Sequence, residues 1–346
     1  MAQLRLPPPT LSSPPHRLVD YNGNIVKYGM FNAPIRDPNL IETRIRHWPG
    51  KLSRLRFKQW QHFCVVHRDL ALSFAIVDTG YLRLGWVQVI HRGVGHTFEH
   101  NCRGPHLECR VARNLFDDVS WLRTSNLSIE VHNHLDDGHH EINIQTKSSK
   151  NGPAVEAQLS CHHPAHIEPL VVCLPFGRQR GVYSHKVPLP LTGTVTVGTK
   201  TIKLEDNAWV LLDIHKGHYP HKSWWNWATF VTQDTRGRVI AANFTRNVVP
   251  TDDLHENAVW VDGRLTACNP SVFDLRSEPW QVKTLDDRSQ LSFAGQGERQ
   301  ETLHLGLVDS TFRQRYGLFS GQVAAGEQTI PVSQAFGLFE DHRARW

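Results

Sequence analysis

The segment from Asp213 to Asn257 holds most of the side chains in this sequence that could perform chemistry. Carboxylates, imidazoles and three nearly adjacent indoles occur together there: Asp213, His215, His218, Trp224, Trp225, Trp227 and Glu256. Titratable groups beside large aromatic surfaces are typical of a deep, partly apolar pocket. The chemistry that such groups perform is proton transfer to and from a bound molecule.

Asp213 and His215 are predicted to share one face of a strand, because side chains two residues apart in a strand point the same way. Val210, Leu212 and Ile214 would occupy the other face. A carboxyl group in an apolar, Trp-walled lumen would have a raised pKa and could act as a general acid, with His215 as its partner. The alternative is that Asp213 caps the following turn by accepting hydrogen bonds from backbone amides.

Glu256 is predicted to be the second carboxylate of the same site. It directly precedes the strand pattern from Asn257 to Val261, a place where an acid is commonly exposed to solvent. If it faces the cavity that holds Asp213, the two carboxyl groups form the acid and base pair that hydration, elimination or glycoside cleavage requires.

Six further residues are predicted to bind the substrate. Trp225 and Trp227 share a strand face and could stack on a ring or stabilise a cationic intermediate, although ordinary core packing is the alternative. The other four are polar side chains within strand patterns, turns or a Gly-rich loop: Asn243, Asn257, Glu99 and His218.

No metal and no cofactor are predicted. Histidines cluster within residues 132–140, 161–166 and 213–221, and zinc sites do use imidazole ligands. The first cluster, however, surrounds an exposed hairpin turn without a second anchoring segment. The sequence also lacks a phosphate-binding Gly-rich loop and a G-x-S-x-G motif, which argues against a nucleotide cofactor and a serine-hydrolase triad.

Short strands with alternating hydrophobicity must position these residues. The alternation is clearest at residues 71–77, 82–90, 127–131, 141–145, 194–204 and 209–215. Turn signals such as D-T-G at 78–80 and D-D-G at 136–138 separate the strands, and no long amphipathic helix is evident. The pattern predicts an all-β fold with two tandem antiparallel barrels, an architecture that protects the sheet edges.

A length of 346 residues exceeds the usual size of a single hydrophobic core and therefore predicts two domains. The predicted boundaries are a Pro-rich extended arm at 1–17, an N-terminal barrel at 18–175 and a C-terminal barrel at 176–346. Phe336, Leu338 and Trp346 alternate in a pattern that suits a closing strand at the end of the second barrel.

Composition limits the class of partner. The formal charge of +5 comes from 38 basic and 33 acidic residues, and this mild excess does not indicate nucleic-acid binding. No apolar run approaches the roughly 18 residues of a membrane-spanning helix. Six scattered cysteines and an N-terminus without a secretory signal pattern predict a cytoplasmic location. The predicted partner is a small molecule, and the oligomeric state is left open.

Five motifs give the chain a family resemblance. They are N-G-N-I-V-K-Y-G at 22–29, Y-S-H-K-V-P-L-P-L-T-G at 183–193, D-I-H-K-G-H-Y-P with W-W-N-W at 213–227, A-A-N-F-T with H-E-N-A-V-W-V-D-G at 241–263, and G-L-F-E-D-H-R-A-R-W at 337–346. In combination they resemble the bacterial family called domain of unknown function 2804. That family is distantly similar to carotenoid 1,2-hydratase, tocopherol cyclase and AttH-type proteins, which implies two lipocalin-like barrels of the calycin type.

Three functions are compatible with these observations. The first is a cofactor-independent acid/base enzyme of the hydratase, cyclase, isomerase or lyase type, acting in the second barrel on an apolar or glycosidic small molecule. The second is a lipocalin-like carrier of a lipophilic ligand, and the third is a glycoside-cleaving enzyme that uses two carboxylates. Pocket composition separates them, because a carrier lumen should be almost wholly apolar whereas an enzyme should bring carboxylates to the ligand.

Overall fold

The computed structural model describes residues 10–45, 51–93, 95–177, 179–205, 207–249, 254–306 and 308–346. Most of the predicted N-terminal arm, residues 1–9, lies outside the described residues. The helical elements are short: a 3-10 turn at Leu40–Glu42, the helix α1 at Lys51–Arg54 and a 3-10 turn at Leu135–Asp137. No helix in the described part of the chain combines the length and the apolarity that crossing a bilayer requires.

Fifteen strands form the first sheet. In chain order they are β1 (Leu11–Ser12), β2 (Gly29–Phe31), β3 (Phe57–Val66), β4 (Leu70–Asp78), β5 (Arg83–His91), β6 (His96–Gly104), β7 (Glu108–Arg110), β8 (Asp118–Arg123), β9 (Leu127–His134), β10 (His139–Thr146), β11 (Val155–His162), β12 (Leu170–Pro175), β13 (Gly181–Val197), β14 (Lys200–Leu204) and β15 (Trp209–His218).

Nine strands form the second sheet. They are β16 (Lys222–Gln233), β17 (Val239–Asn247), β18 (Ala258–Val261), β19 (Arg264–Ala267), β20 (Ser271–Asp274), β21 (Trp280–Thr284), β22 (Gln290–Leu305), β23 (Val308–Ala325) and β24 (Gln328–Arg345).

Both sheets close by the same pairing. In the first sheet β15 pairs with β3, and in the second sheet β24 pairs with β16, so the last strand of each meander returns to its first long strand. Each sheet is thereby curled into a half-barrel, and all strand pairs are antiparallel except that of β1 with β2. The predicted all-β fold with two tandem barrels is confirmed.

Sheet membership changes between His218 and Lys222. β13 pairs with β11 and β15, and β15 pairs with β3, so these strands belong to the first sheet. The boundary that the sequence predicted between residues 175 and 176 therefore lies inside the first sheet. The pairing that assigns β13 and β15 is long-range, since β15 meets β3 across more than a hundred residues of chain.

Among the described residues, three hydrophobic clusters contain most of the buried apolar side chains. One fills the first half-barrel and includes Val210, Leu212 and Ile214, as the alternation of β15 predicts. A second fills the other half-barrel around Phe230 and Phe339. The third joins the two sheets and combines first-sheet residues with second-sheet residues, among them Cys64, Leu174, Leu211, Trp227 and Leu338. Side chains on the outer face of β15 therefore point towards the second sheet.

The predicted closing strand is confirmed. β24 lies between β16 and β23 and pairs with both along most of its length. Phe336, Leu338 and Phe339 are buried on its two faces. Gly337 permits the close approach of β24 to β16, because a Cβ there would lie 2.1 Å from the carbonyl oxygen of Thr229.

Lys216 lies on the inner face of β15 and makes the stability depend on pH. Its ammonium group donates to the carbonyl of Ala112 at 2.5 Å, and burial lowers its pKa from 10.5 to about 7. Because the folded state then loses this proton at lower pH than the unfolded state, Lys216 makes the free energy of unfolding rise as pH increases from about 7 to 10. We expect the Lys216→Met variant to lose part of this rise.

Urea unfolding followed by tryptophan fluorescence, near pH 6 and near pH 9, measures the slope. Lys58 has a pKa lowered to about 7 by burial and adds to the slope in both proteins. The exposed Lys200→Met variant is the matched control and should retain the wild-type rise. If the slope is unchanged in Lys216→Met, the pKa of Lys216 is the same in the folded and unfolded states, and burial does not lower it.

Candidate functional site

A cavity that is partly open to solvent lies between the two sheets. Its walls come from β3, β4, β5, β13 and β15 of the first sheet and from β16, β17, β22, β23 and β24 of the second. The sequence analysis expected the site in the second barrel, but the interior of that half-barrel is filled by the cluster around Phe230 and Phe339, and Asp213 and His215 line the cavity between the sheets. Aromatic rings form much of the walls: Trp60, Tyr81, Trp86, Phe176, Tyr219, Trp224, Trp225, Trp227, Phe312 and Trp346.

Four ionisable side chains meet at one end of the cavity. The ammonium group of Lys186 donates to Oδ1 of Asp213 and lies 3.6 Å from Oε2 of Glu256. Nε2 of His215 lies 3.3 Å from Oδ1 of Asp213 and 3.6 Å from Oε2 of Glu256. The structure thus brings together Asp213, His215 and Glu256, the three residues predicted to be catalytic, and adds Lys186, which the sequence interpretation did not single out.

Strand register explains this convergence. Lys186 on β13 is directly opposite Asp213 on β15, and Trp60 on β3 is directly opposite His215. Trp60 stacks on the His215 ring at 4.6 Å between centroids and donates its Nε1 hydrogen to Oδ2 of Asp213 at 3.1 Å. The other ring nitrogen of His215, Nδ1, lies 3.2 Å from the Tyr219 hydroxyl. Both β15 side chains are therefore fixed in orientation by neighbouring strands.

The charges within this cluster overcome the effect of burial. Burial acts to raise the pKa of Asp213, but Lys186 and His215 outweigh it and hold the pKa below its ordinary value. The pKa of Glu256 is lowered for the same reason, His215 and Lys186 overcoming burial. Burial opposes the charged forms of Lys186 and His215, yet the two carboxylates raise the pKa of each. The pKa of Asp213 is therefore lowered where the sequence predicted a raised one, and the neighbours of each of the four groups favour its charged form.

Glu340 on β24 is the carboxyl group with a raised pKa. It lines the cavity and is 5% exposed. Trp225 Nε1 donates to its Oε1 at 2.5 Å, and Gln314 Nε2 donates to its Oε2 at 3.1 Å. Burial raises the pKa of Glu340 to about 7, and the nearby charge of Asp213 acts in the same direction. Near neutral pH this group can therefore either donate or accept a proton.

Sequence patterns could have revealed both residues that were missed. Glu340 follows Phe336 and Leu338 at intervals of two, so the predicted closing strand already placed an acid on an apolar face. Lys186 lies within the strand pattern Y-S-H-K-V-P, where a lysine is unusual unless it has a partner. What the patterns could not give was the identity of the partner.

The predicted substrate-binding residues separate into two groups. Trp225 and Trp227 line the cavity. Asn243 supports one of them, because its Oδ1 accepts from Trp227 Nε1 at 2.6 Å and its amide donates to the carbonyl of Glu256 at 2.5 Å. Asn257 accepts from the Thr245 backbone amide at 2.7 Å, so it links β17 to the start of β18.

Glu99 and His218 also lie away from the cavity surface. Glu99 pairs at 2.8 Å with Arg299, whose guanidinium lies 4.2 Å from the Trp86 ring centroid within the cavity wall. His218 is fully buried against Phe57. The described residues that line the cavity do not include Asn243, Asn257, Glu99 or His218. Within the same described ranges, no three histidine, cysteine or acidic side chains are arranged to hold a metal ion.

Solved structures with this architecture include kievitone hydratase from Nectria haematococca, which has a TM-score of 0.50 and 12% sequence identity over 82% of this chain and 88% of that chain. CghA has a TM-score of 0.50 and 8% identity over 82% of this chain and 87% of its own. A structure named for an AttH protein of Nitrosomonas europaea has a TM-score of 0.43 and 11% identity over 83% and 92% of the two chains. No curated protein matches the sequence. At these identities the likeness to kievitone hydratase and CghA shows a shared fold and no more.

The family model described as domain of unknown function, DUF2804, matches residues 10–346. This span contains all five motifs on which the resemblance rests, and the resemblance is confirmed. The chain belongs to the family called domain of unknown function 2804.

Proposed function

We propose that this protein is a cofactor-independent acid/base enzyme of the hydratase or lyase type that acts on a largely apolar small molecule between the two sheets. The observation that carries the proposal is the division of the cavity carboxyl groups into two kinds. Asp213 and Glu256 have lowered pKa values beside Lys186 and His215, whereas Glu340 has a pKa raised to about 7. Carboxyl groups whose environments separate their pKa values are typical of acid/base catalysis.

Glu340 is the proposed proton donor and acceptor. In the hydration direction its carboxyl proton would be transferred to a carbon–carbon double bond, and a water molecule would add to the resulting cation and return a proton to the site. The indole faces of Trp225 and Trp227 would stabilise the cation, as aromatic rings do for buried positive charge. The reverse sequence of the same steps eliminates water.

Asp213 and His215 have a different proposed role. Each is more exposed to the cavity than Glu256, at 7% and 8% against 1%. With its charge held by Lys186, Asp213 is a weak base, and its carboxylate would orient the attacking water and counter the developing positive charge. Lys186 and Glu256 would act as positioning residues that keep Asp213 and His215 in their charged forms.

The carrier alternative fits the cavity less well. A lipophilic carrier needs no buried charges, and charged groups without a functional role are costly to bury. Here five ionisable groups lie close together in the wall of a largely apolar cavity: Lys186, Asp213, His215, Glu256 and Glu340. The same wall also contains His62, Arg299, Glu301 and His342. That a hydratase has the same fold is consistent with the proposal, although a shared fold alone does not determine an activity.

Glu340→Gln should lower turnover roughly 10²–10⁴-fold, because the amide preserves the shape of the side chain but cannot transfer the proton. Substrates can be sought by incubating the protein with metabolite extracts in oxygen-labelled water and detecting label incorporation by mass spectrometry. Glu327→Gln, an exposed change on the β23–β24 turn, is the matched control and should retain wild-type activity. Binding of the substrate to Glu340→Gln should persist.

The pH dependence of the same reaction gives a second readout. A general acid with a pKa of about 7 is protonated below that value, so kcat/KM should fall as pH rises above about 7. Full activity in Glu340→Gln with an unchanged pH profile would show that Glu340 is not the group that transfers the proton. A wild-type protein that binds the ligand and never changes it, with Trp227→Ala losing binding and Asp213→Asn retaining function, would instead establish the carrier.

A further inference from the structure

The strands that carry Trp225 and Glu340 present a second, cationic face on their other side. Lys222 and Trp224 alternate with Ser223 and Trp225 on β16, so they point away from the catalytic cluster. Across the strand pairing, Lys222 lies opposite Arg345 and Trp224 lies opposite Arg343 on β24. All four of these outward-pointing side chains are exposed, and they line a groove that is open to solvent.

Positive charge is in excess in this groove. Four basic residues line it, namely Lys222, Arg246, Arg343 and Arg345, against the two acids Asp309 and Asp341. Both acids already have partners. Asp309 lies 2.6 Å from Nδ1 of His304, and Asp341 accepts from Asn226 Nδ2 at 3.0 Å.

The positive charges of the basic residues are less well neutralised by nearby carboxylates. Among the described residues, no carboxylate lies within salt-bridge distance of Lys222, Arg246 or Arg345, and Arg343 reaches Asp341 only at 4.0 Å. A concave surface with several uncompensated cations attracts an anion by charge complementarity.

The groove adjoins the cavity at the start of β16. Ser223 and Trp224 line both spaces, so they form the rim between them. Trp224 is 36% exposed, and the guanidinium of Arg246 lies 5.7 Å from its ring centroid. A molecule that fills the aromatic cavity and extends out of its mouth would therefore pass over Trp224 and reach Lys222 and Arg246.

From this shared rim and the excess positive charge of the groove we infer that the ligand of the cavity is amphipathic, with an apolar body between the sheets and an anionic terminus, a carboxylate or a phosphate, in the groove. The inference rests on the proposed function, because it takes the cavity as the ligand site. In this arrangement the cationic groove anchors and orients the ligand, and Glu340 transfers the proton.

A pair of fluorescent probes that differ by one charge tests the inference. Dansylaminoundecanoic acid and its methyl ester share a fluorophore and a flexible apolar chain, and only the acid has an anionic terminus. Titration of each into the full-length protein should show tighter binding of the acid. The double variant Lys222→Gln, Arg246→Gln should have a ratio of acid affinity to ester affinity that is lower than that of the wild type by roughly fivefold or more. Added salt should lower the same ratio in the wild type, because salt screens the charges of the groove. The pair Lys200→Gln and Lys203→Gln, exposed on the first sheet, is the matched control.

The outcomes are distinguishable from failure of the proposed function. Equal affinity for acid and ester in the wild type, or a preference that survives in the Lys222→Gln and Arg246→Gln protein, would overturn the inference and leave the acid/base proposal standing. Absence of binding by either probe would count against both. Binding of the wild type to phosphatidylglycerol vesicles, lost in the double variant and without any preference for the acid, would assign the face to a membrane surface and overturn the inference.

Discussion

Deletion of residues 336–346 should abolish cooperative folding of the second half-barrel. The deleted segment is the end of β24, which lies between β16 and β23, so its loss breaks both pairings at once. Phe336, Leu338 and Phe339 are buried, and removing three such side chains at roughly 1.5–3 kcal/mol each costs about 5–9 kcal/mol. That range is a large part of the roughly 5–15 kcal/mol by which a folded domain is stable.

Thermal melting followed by far-UV circular dichroism, with tryptophan fluorescence as a second probe, measures this loss. We expect the truncated chain to lose the transition of the second sheet or to melt far below the wild type. Phe339→Ala is a milder version, because it creates a cavity in the core of the second half-barrel at a cost of about 3–5 kcal/mol. Arg343→Ala changes an exposed residue of the same strand and should melt like the wild type. A truncated chain that melts at the wild-type temperature would show that the terminal segment is a free arm.

Lys186→Met should destabilise the protein by about 3–5 kcal/mol, the usual effect of removing one partner from a buried ion pair. Methionine retains most of the length of the side chain, so the loss is mainly of charge. The carboxylates of Asp213 and Glu256 would then share His215 as their only cationic neighbour within the cluster. Urea unfolding near neutral pH measures the difference, and Lys200→Met, an exposed lysine, is the control.

The loss of stability in Lys186→Met should depend on pH. In the wild type the lowered pKa values of Asp213 and Glu256 contribute stability above their unfolded values of 3.8 and 4.5, and this contribution is lost as pH falls through the folded values. Without Lys186, only His215 opposes burial within the cluster, so we expect the pKa of both groups to rise, and protonation would then relieve the folded variant. The deficit of Lys186→Met should therefore be larger at about pH 8 than at about pH 5.

A double variant separates the ion pair from ordinary packing. Lys186→Met combined with Asp213→Asn removes one charge of each sign, so it should be more stable than Lys186→Met alone. If the double variant is less stable than the wild type by the sum of the two single-variant effects, Lys186 and Asp213 do not interact in the way that their contact indicates.

Strand alternation by itself determined much of the architecture. It placed Asp213 and His215 on one face of β15 with Val210, Leu212 and Ile214 on the other, and the structure has that arrangement. It also identified the closing strand, since an alternating pattern needs only local information. These successes have one cause: the period of two in a strand is fixed by backbone geometry and can be read from consecutive residues.

Only the tertiary structure decided where the polar face of β15 points and how its groups titrate. Both faces of this strand are buried, so alternation could not distinguish the lumen of a barrel from the space between two sheets. The pKa of Asp213 is lowered by Lys186, a residue on β13 that strand pairing places opposite it, and the pKa of Glu340 is raised because two sheets exclude water from it. Charge–charge interaction and desolvation act through space, and they depend on neighbours that are distant in the sequence.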